Sequence, residues 1–335
     1  MPCRQRPAGG FVAVVTKQIE AGRALTDIYP ARFCTLCRKE DAMSKQRIQL
    51  SDHFTYPRLL RFVLPCIGTM LFTSIYGIVD GLCVSNFVGK TAFAAVNLIM
   101  PLPMLLGTIG FMLGTGGSAI VGITLGEGDQ KKADRYFTLF LLAALVSVSV
   151  LAVLGIVFLR PIAVLLGAKG ELLDYAVRYG RILMVSLPTF ALQNMFQSFF
   201  VTAEKPHLGF WFTVGAGCTN MVLDVLMVGI WGWGVEGAAI ATFISQLVGG
   251  VLPVFYFIDR SNSSRLHLCK TSFYSKVLRD ACINGSSELM TNLSMSLVNI
   301  LYNYQLLRLA GENGVAAYGV IMYAAFLFVA VFVGY

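Results

Sequence analysis

The chain has 335 residues, of which 56% are hydrophobic and only 13% are charged, and its mean hydropathy is +0.70. Because about a quarter of the residues in a soluble domain carry charge, this composition excludes an ordinary soluble protein and indicates a polytopic membrane protein. The formal net charge is +8, but the Lys and Arg residues lie between apolar runs and form no basic face. Membrane lipids are therefore expected partners, and nucleic acid is not.

Residues 1–45 have mixed charge and many turn-forming residues, unlike the rest of the chain. Their one apolar run is too short for the core of a signal peptide. We expect this segment either to be disordered or to precede the true start of translation, which is Met1 or Met43. Within it, Cys34 and Cys37 form a single C-x-x-C pair without a second pair or a neighbouring histidine, so no metal site is expected.

Eight apolar runs are long enough to cross a bilayer as helices, which takes about 20 residues. In chain order they cover residues 62–85, 92–113 (extending up to 125), 136–159, 181–201, 208–230, 235–258, 281–306 and 315–335. With a cytoplasmic N-terminus, thirteen Lys and Arg residues from Met43 onward fall in inner segments and six in outer ones. The positive-inside rule then predicts a multi-pass protein of the plasma (inner) membrane with its N-terminus in the cytoplasm.

A shift of 222 residues aligns the last two runs with the first two. It pairs Gly89 with Gly311 and the Ala-Ala dipeptide at 94–95 with that at 316–317. Because six runs separate the two copies, the repeats are parallel in topology and related by an axis along the membrane normal.

This repeat predicts an all-α fold with two lobes. The first is a six-helix lobe over residues 46–259, followed by a cytoplasmic linker over 260–278. The first two helices of a second lobe occupy 279–335. Two complete six-helix lobes contain twelve spans, so these eight spans predict a chain that is truncated at its C-terminal side.

Two carboxylates lie inside the apolar runs at similar depth. Asp80 is about 27 Å along the first helix from its cytoplasmic start, and Asp224 is about 24 Å along the fifth. An Asp near the centre of a span costs about 2.5–3.5 kcal/mol to insert, which one interhelical hydrogen bond of about 0.6–2 kcal/mol does not readily offset. We therefore predict that both acids face a shared wet cavity, where they are protonated, bind a cation, or do each in turn. Asn220 lies one turn before Asp224 on the same helix face.

Other polar residues in the spans allow two interpretations. Asn194 and Gln197 belong to a polar stripe in the fourth span, and such amides commonly form hydrogen bonds between membrane helices. Glu288 lies seven residues into the seventh span, where its carboxylate either has a function within the membrane or extends toward the cytoplasm. A ladder of small residues in the second span predicts close helix packing. The ladder consists of Gly110, Gly114, Ser118, Gly122 and Gly126.

Four segments resemble the multidrug and toxic compound extrusion (MATE) family. They are IYGIVDGLCVSNFVG (75–89), LGEGDQKKADRYF (125–137), NMVLDVLMVGIWGWGVEGAAIAT (220–242) and NGSSELMTNLSMSLVNILYN (284–303). The resemblance covers nearly everything from about residue 50 onward. It implies a protein of twelve helices in two lobes, of which the present chain has eight. It also implies export of small cationic or amphipathic drugs in exchange for Na⁺ or H⁺ by alternating access, with no cofactor beyond the coupling ion.

The resemblance also implies roles for individual residues. Asp80 matches the first-helix aspartate of the family's DNA-damage-inducible-type branch, and Asn220 with Asp224 matches the fifth-helix Asn-x-x-x-Asp of its cation site. These three residues are the candidate Na⁺ ligands. The fourth-helix asparagine of that site corresponds to Asn194 or Gln197. Glu288 lies near the seventh-helix acid that other branches use.

Three alternatives stay open. A lipid-linked sugar flippase of the same superfamily is expected to place several Arg or Lys residues in its cavity, and these spans are nearly free of them. A non-transporting membrane scaffold is the second alternative. An incomplete or inactive fragment, with the rest of the second lobe encoded separately, is the third. No catalytic dyad or H-E-x-x-H motif is present, so the chain is not expected to be an enzyme.

Overall fold

The computed structural model describes residues 56–259 and 264–334, and these are almost entirely helical. The α-helices are α1 (Tyr56–Cys83), α2 (Lys90–Ile99), α3 (Pro101–Gly126), α4 (Gln130–Leu165), α5 (Gly170–Thr202), α6 (Pro206–Asp224), α7 (Gly234–Ile258), α8 (Ser275–Asn284) and α9 (Ser286–Gly334). Two π-helical segments, Val84–Val88 and Val225–Ile230, continue α1 and α6. Each of the eight apolar runs falls on this helical framework, so the predicted all-α membrane fold is confirmed. Residues 1–45, with their C-x-x-C pair, lie outside the described residues.

Five helical stretches of the described chain are long and apolar enough to cross a membrane. They are Leu64–Val88, Lys90–Gly126, Gln130–Leu165, Pro206–Ile230 and Gly234–Ile258. The remaining predicted spans correspond to α5 and to the two arms of α9, which contain more polar residues. These two more polar helices, α5 and α9, both supply side chains to the candidate site.

Glycine breaks the helix at the same point in each repeat. Gly89, between the first π-helical segment and α2, has φ 122°, and Gly311, inside α9, has φ 63°. Both values lie in the region that favours glycine, because it has no Cβ. The hydroxyl of Tyr318 donates to Asn299 Oδ1 at 2.8 Å, so the two arms of α9 fold back on each other at Gly311. The two arms of α9 in the second repeat therefore form a helical hairpin.

The two repeats meet near their glycine turns. Thr91 Oγ1 donates to Glu312 Oε2 at 2.8 Å, and Asn303 Nδ2 donates to the carbonyl oxygen of Asn97 at 2.9 Å. A Cβ added to Gly319 would lie 2.5 Å from Asn97 Nδ2, so α2 and the second arm of α9 cross closely there. Residues 97 and 319 correspond under the 222-residue shift, and the two repeats thus touch at equivalent positions.

An aromatic cluster joins α4, α5 and α7 at the predicted cytoplasmic end. The Phe137 ring lies with its centroid 4.8 Å from that of Phe199 and 5.1 Å from that of Phe257. Phe196 stacks on Phe257 at 5.6 Å. Because lipid is as apolar as these side chains, van der Waals contact rather than transfer from water stabilises this packing. Each aromatic pair contributes about 0.5–1.5 kcal/mol beyond its buried area.

The small residues of α3 differ in what they face. A Cβ added to Gly110 would lie 2.8 Å from Ala191 Cα, and one added to Gly114 would lie 3.1 Å from Met195 Cα, both on α5. A Cβ on Gly122 would have an ordinary contact, 3.7 Å from Thr202, and one on Gly126 would have no atom within 4 Å. The hydroxyl of Ser118 donates to the backbone of its own helix. Close packing on α5 therefore depends on the first two members of the ladder.

Residues 264–274, which we call the strap, lie in extended form along the first turns of α4. They occupy part of the predicted inter-lobe linker, and α8 begins directly after them. Four hydrogen bonds join the strap to α4 at alternate strap residues. They are Gln130 Nε2 to Arg265 O, His267 N to Asp134 Oδ1 (2.9 Å), Cys269 N to Thr138 Oγ1 (3.1 Å) and Thr271 Oγ1 to Arg135 O (2.8 Å). Leu266 is fully buried, and Arg265 pairs with Glu204 at 3.0 Å.

Replacing Asp134 by alanine is expected to loosen the strap. The change removes the acceptor of the His267 backbone N–H. Loss of this hydrogen bond costs about 1 kcal/mol of net free energy, which raises the fraction of molecules with a detached strap about fivefold. Trypsin in detergent solution should therefore cut faster after Arg265 and Lys270. Lys131→Ala, an exposed change on the same helix, is the control. Equal cleavage rates in both variants would show that Asp134 does not hold the strap.

Candidate functional site

The site forms where α1 and α6 pack side by side. Gly217 permits the approach, because a Cβ there would lie 2.5 Å from Phe72 Cε1 and 2.9 Å from Tyr76 Cδ1. Asp80 is 5% exposed and Asp224 is fully buried. Their carboxyl groups lie close enough to interact directly. The structure thus brings together two acids that are 144 residues apart in the sequence.

Several oxygens of this site are buried without a hydrogen-bond partner among the described residues. They are Asp80 Oδ1, Asn220 Oδ1 and both carboxylate oxygens of Asp224. Asn220 is 1% exposed and lies one helical turn before Asp224. Two unneutralised carboxylates in such a place would cost several kcal/mol each, so a proton or a cation must accompany them. Carboxylate and amide oxygens are the ligands that hard cations prefer, and this donor set therefore fits Na⁺ as well as H⁺.

A different kind of metal site is not formed by the described side chains. No group of three or more His, Cys, Asp or Glu residues lies within metal-binding distance in residues 56–259 and 264–334. The site is therefore one of two acids and an amide, which suits a hard monovalent cation or a proton.

Both acids lie within about one turn of a π-helical segment. Asp80 is in the last turn of α1, and Asp224 is the last residue of α6. The wider turns are closed by Gly89 N to Val84 O at 3.2 Å and by Trp231 N to Leu226 O at 2.9 Å. π-helical turns are rare and occur frequently at functional sites. Their position on both helices, one turn or less beyond the acids, marks this as the specialised region of the bundle.

Three tyrosines surround the acid pair, and none of them was predicted from the sequence. Tyr76, Tyr179 and Tyr323 each interact electrostatically with Asp80. Tyr179 is fully buried on α5 and also neighbours Thr242 of α7. Five elements, α1, α5, α6, α7 and α9, thus contribute to the surroundings of the pair.

The missed tyrosines differ in how far the sequence could have revealed them. Tyr76 lies four residues before Asp80, so the i, i+4 rule would have placed it on the same face. Tyr179 lies two residues before the predicted start of the fourth span, whereas α5 begins at Gly170. Tyr323 comes from the second repeat, and no local pattern connects it with the first.

The structure does not bring Asn194 and Gln197 to the acid pair. Tyr179 marks the level of the pair on α5, and the two amides lie 15 and 18 residues further along, or about 22 and 27 Å. Asn194 Nδ2 donates to the carbonyl oxygen of Phe190 on its own helix at 2.8 Å. Neither side chain therefore completes the site around Asp80 in this arrangement.

Glu288 also lies at another depth. It is 23 residues before the turn at Gly311, about 34 Å, whereas Asp80 is nine residues before the turn at Gly89, about 13 Å. Because the two turns meet, these acids are separated by about 20 Å along the membrane normal. Glu288 accepts a hydrogen bond from Asn292 Nδ2 at 3.0 Å and is half-buried at the start of α9.

A cavity of about 470 Å³ opens near that end of α9, between α3, α4 and α8. Its lining combines apolar, aromatic and charged side chains, including Tyr136, Lys132, Glu127 and Asp280. This volume lies in the range of small-molecule sites. The cavity is separate from the acid pair and does not include its residues.

Comparison with known proteins agrees with this arrangement. The MatE family model matches residues 65–226, a range that contains Asp80, Asn220 and Asp224. Multidrug export protein MepA of Staphylococcus haemolyticus is 23% identical over 276 residues, which are 82% of this chain and 61% of that protein. The chain therefore spans about three-fifths of the length of this relative. The relative is named an export protein, which confirms the prediction that the chain is not an enzyme.

Two solved structures of a multidrug resistance MATE family transporter of the MOP superfamily share the fold. The inward-facing structure is 25% identical, with a TM-score of 0.73 over 78% of this chain and 59% of that one. The outward-facing structure is 24% identical, with a TM-score of 0.73 over 82% of this chain and 61% of that one. The matched domain, the relative and the shared fold confirm the family resemblance seen in the sequence. The chain is therefore similar to MATE transporters, and residues 65–226 form its MatE domain.

Proposed function

We propose that the chain takes part in secondary-active export of small cationic or amphipathic compounds, in exchange for Na⁺ or H⁺. The observation that carries the proposal is the buried Asp80–Asp224 pair beside Asn220, with oxygens that have no partner among the described residues. Burial of two acids in a membrane interior costs free energy that helix packing alone does not offset. Exchange of a proton or cation at these acids explains their presence.

The proposed exchange follows from the electrostatics of the pair. With a cation or proton bound, the site is neutralised and tolerates closure in a medium of low dielectric constant. After release, the carboxylates require water, which favours an arrangement that opens the site. Ion occupancy and conformation are therefore coupled, and a compound that binds one conformation better can be exported against its gradient.

Alternating access belongs to the proposal by analogy with the similar MATE transporter. That transporter has been solved in an inward-facing and an outward-facing conformation. We propose residues 46–259 as the first lobe and 279–335 as the start of the second, in the plasma membrane with a cytoplasmic N-terminus. The DNA-damage-inducible-type branch and a separately encoded remainder of the second lobe stay predictions.

Multidrug export as such is supported by the name of the MepA relative. Because the chain spans about three-fifths of the length of that protein, multidrug export by this chain is a proposal. A cationic compound would be compatible with spans that contain few basic residues. Glu288, Asn194 and Gln197 lie away from the acid pair, and their part in ion coupling or transport stays a prediction.

The function can be tested with everted membrane vesicles that carry either residues 1–335 or the complete gene product. We expect export-direction transport of ethidium, followed by its fluorescence, when a Na⁺ or a pH gradient is imposed. An ionophore that collapses the effective gradient should abolish transport, and vesicles without the protein serve as the control. Absence of transport under both gradients by a folded, inserted complete protein would refute the proposal.

A further inference from the structure

Tyr323 lies in a groove on α1 that two glycines form. A Cβ added to Gly81 would lie 2.9 Å from Tyr323 Cε2 and 3.1 Å from its hydroxyl oxygen, and one added to Gly77 would lie 3.9 Å from Cε1. On its other side, the ring is stacked near Phe93, with a centroid distance of 6.3 Å. The ring of a second-repeat residue is therefore held between α1 and α2 of the first repeat.

This groove lies directly beside the acid pair. Gly81 follows Asp80 in the sequence, and Tyr323 interacts electrostatically with Asp80. Asp80 is only 5% exposed, whereas Leu82, two residues further along α1, is 55% exposed. The second arm of α9 packs on α1 in this region and so covers the carboxylate.

We propose that Tyr323 is a positioning residue through which the second repeat closes the ion-coupling site of the first. While its ring occupies the glycine groove, water is excluded from Asp80. When the second repeat moves away, the ring leaves the groove and the pair becomes hydrated. The inference rests on the proposed function for the role of the pair, but the shielding itself does not depend on it.

The coupling works in both directions. A neutralised pair tolerates the ring beside it, whereas a charged pair favours water in its place. Thermodynamic linkage makes this coupling reciprocal. If ion binding changes the equilibrium constant for closure of the second repeat by some factor, closure changes the ion affinity by the same factor. Tyr323 would thus connect the movement of the lobes with ion binding without being an ion ligand.

Cys83 is a natural reporter of this shielding. It ends α1 three residues after Asp80, is 8% exposed and interacts with both carboxylates. In a variant of the complete protein that retains Cys83 as its only cysteine, its rate of reaction with N-ethylmaleimide measures access of solvent to the pair.

Two glycine variants test the groove without altering Tyr323. Gly81→Ala places a methyl group against the ring and should displace it, so that Cys83 reacts several-fold faster. Gly77→Ala is the matched control on the same helix face, because its methyl group would make only an ordinary contact. Both substitutions favour the helix, so that loss of folding does not obscure the result. Equal reaction rates in the two variants would overturn the proposal.

Variants of the tyrosine separate positioning from simple packing. We expect Tyr323→Ala to raise Cys83 reactivity and to lose ion-driven export, while Tyr323→Phe, which keeps the ring, restores both. Phe328→Ala, which removes an exposed ring from the same arm of α9, should change neither. Unchanged reactivity or unchanged export in Tyr323→Ala would overturn the positioning role. The unaltered protein could also export under neither gradient while Tyr323→Ala still changes Cys83 reactivity. That result would support exclusion of water by the Tyr323 ring and refute the proposed function.

Discussion

Replacement of Asp80 or Asp224 by asparagine is expected to abolish ion-driven export and to leave the protein folded in the membrane. Asparagine keeps the shape of the side chain but neither accepts the coupling proton nor offers an anionic oxygen to Na⁺. Export can be followed in vesicles as ethidium transport, and folding by the amount of protein that elutes as a single species in detergent. Stability should not fall, because the change removes a buried acid whose insertion costs about 2.5–3.5 kcal/mol.

The double variant gives a sharper result than either single one. If the acids act as a unit, removing the second after the first costs little more, and the effects on export are far from additive. Glu171→Gln, an exposed acid in the first turn of α5, is the matched control and should export as the unaltered protein does. Export at the unaltered rate by both single variants would show that the pair is not the coupling site.

Sequence reasoning found this pair because two physical rules act locally. Hydropathy places the spans, and the rise of a helix turns a residue count into a depth. Asp80 and Asp224 could therefore be assigned to one level, and Asn220 to the face of Asp224, without knowledge of how the helices pack. The glycine break at Gly311 followed equally from its alignment with Gly89.

The rest depended on which helices become neighbours, and sequence patterns do not contain this information. The tyrosine from the second repeat reaches the acid pair only because α9 packs on α1. Asn194 was assigned to the site by resemblance, but its position along α5 lies about 22 Å from the level of Tyr179. The strap was recognised as a polar linker, whereas its hydrogen bonds to α4 arise from docking that composition does not reveal.

The small-residue ladder of α3 shows the same limit most clearly. The ladder marks the face of α3 with most glycines, but the closest helix contact is at Gly116. This residue follows Gly114 of the ladder by two positions, which places it about 200° around the helix from the ladder face. A Cβ at Gly116 would lie 2.0 Å from the carbonyl oxygen of Ala281, and one at Gly285 would lie 2.1 Å from that of Met112. Two glycines thus allow α3 to contact the junction of α8 and α9 through their backbones.

Gly116→Ala is therefore expected to destabilise the protein and to separate the second repeat from α3. The methyl group meets a backbone oxygen that cannot rotate away, so the helices must move apart, at an overpacking cost of about 1–3 kcal/mol. Alanine also favours the helix by about 1 kcal/mol over glycine, which only partly offsets this cost. The expected result is a lower melting temperature in detergent and faster proteolysis between α8 and α9.

Gly122→Ala on the same helix separates these two effects. Its methyl group would lie at an ordinary distance of 3.7 Å from Thr202, so the gain in helix propensity remains without the clash. This variant should melt at the same temperature as the unaltered protein or above it. Opposite shifts for two identical substitutions six residues apart would establish that backbone contact at Gly116, rather than glycine content, joins the repeats. A melting temperature above that of the unaltered protein for both variants would contradict the prediction. It would mean that α3 and the α8–α9 junction lie further apart at Gly116 than in the structure.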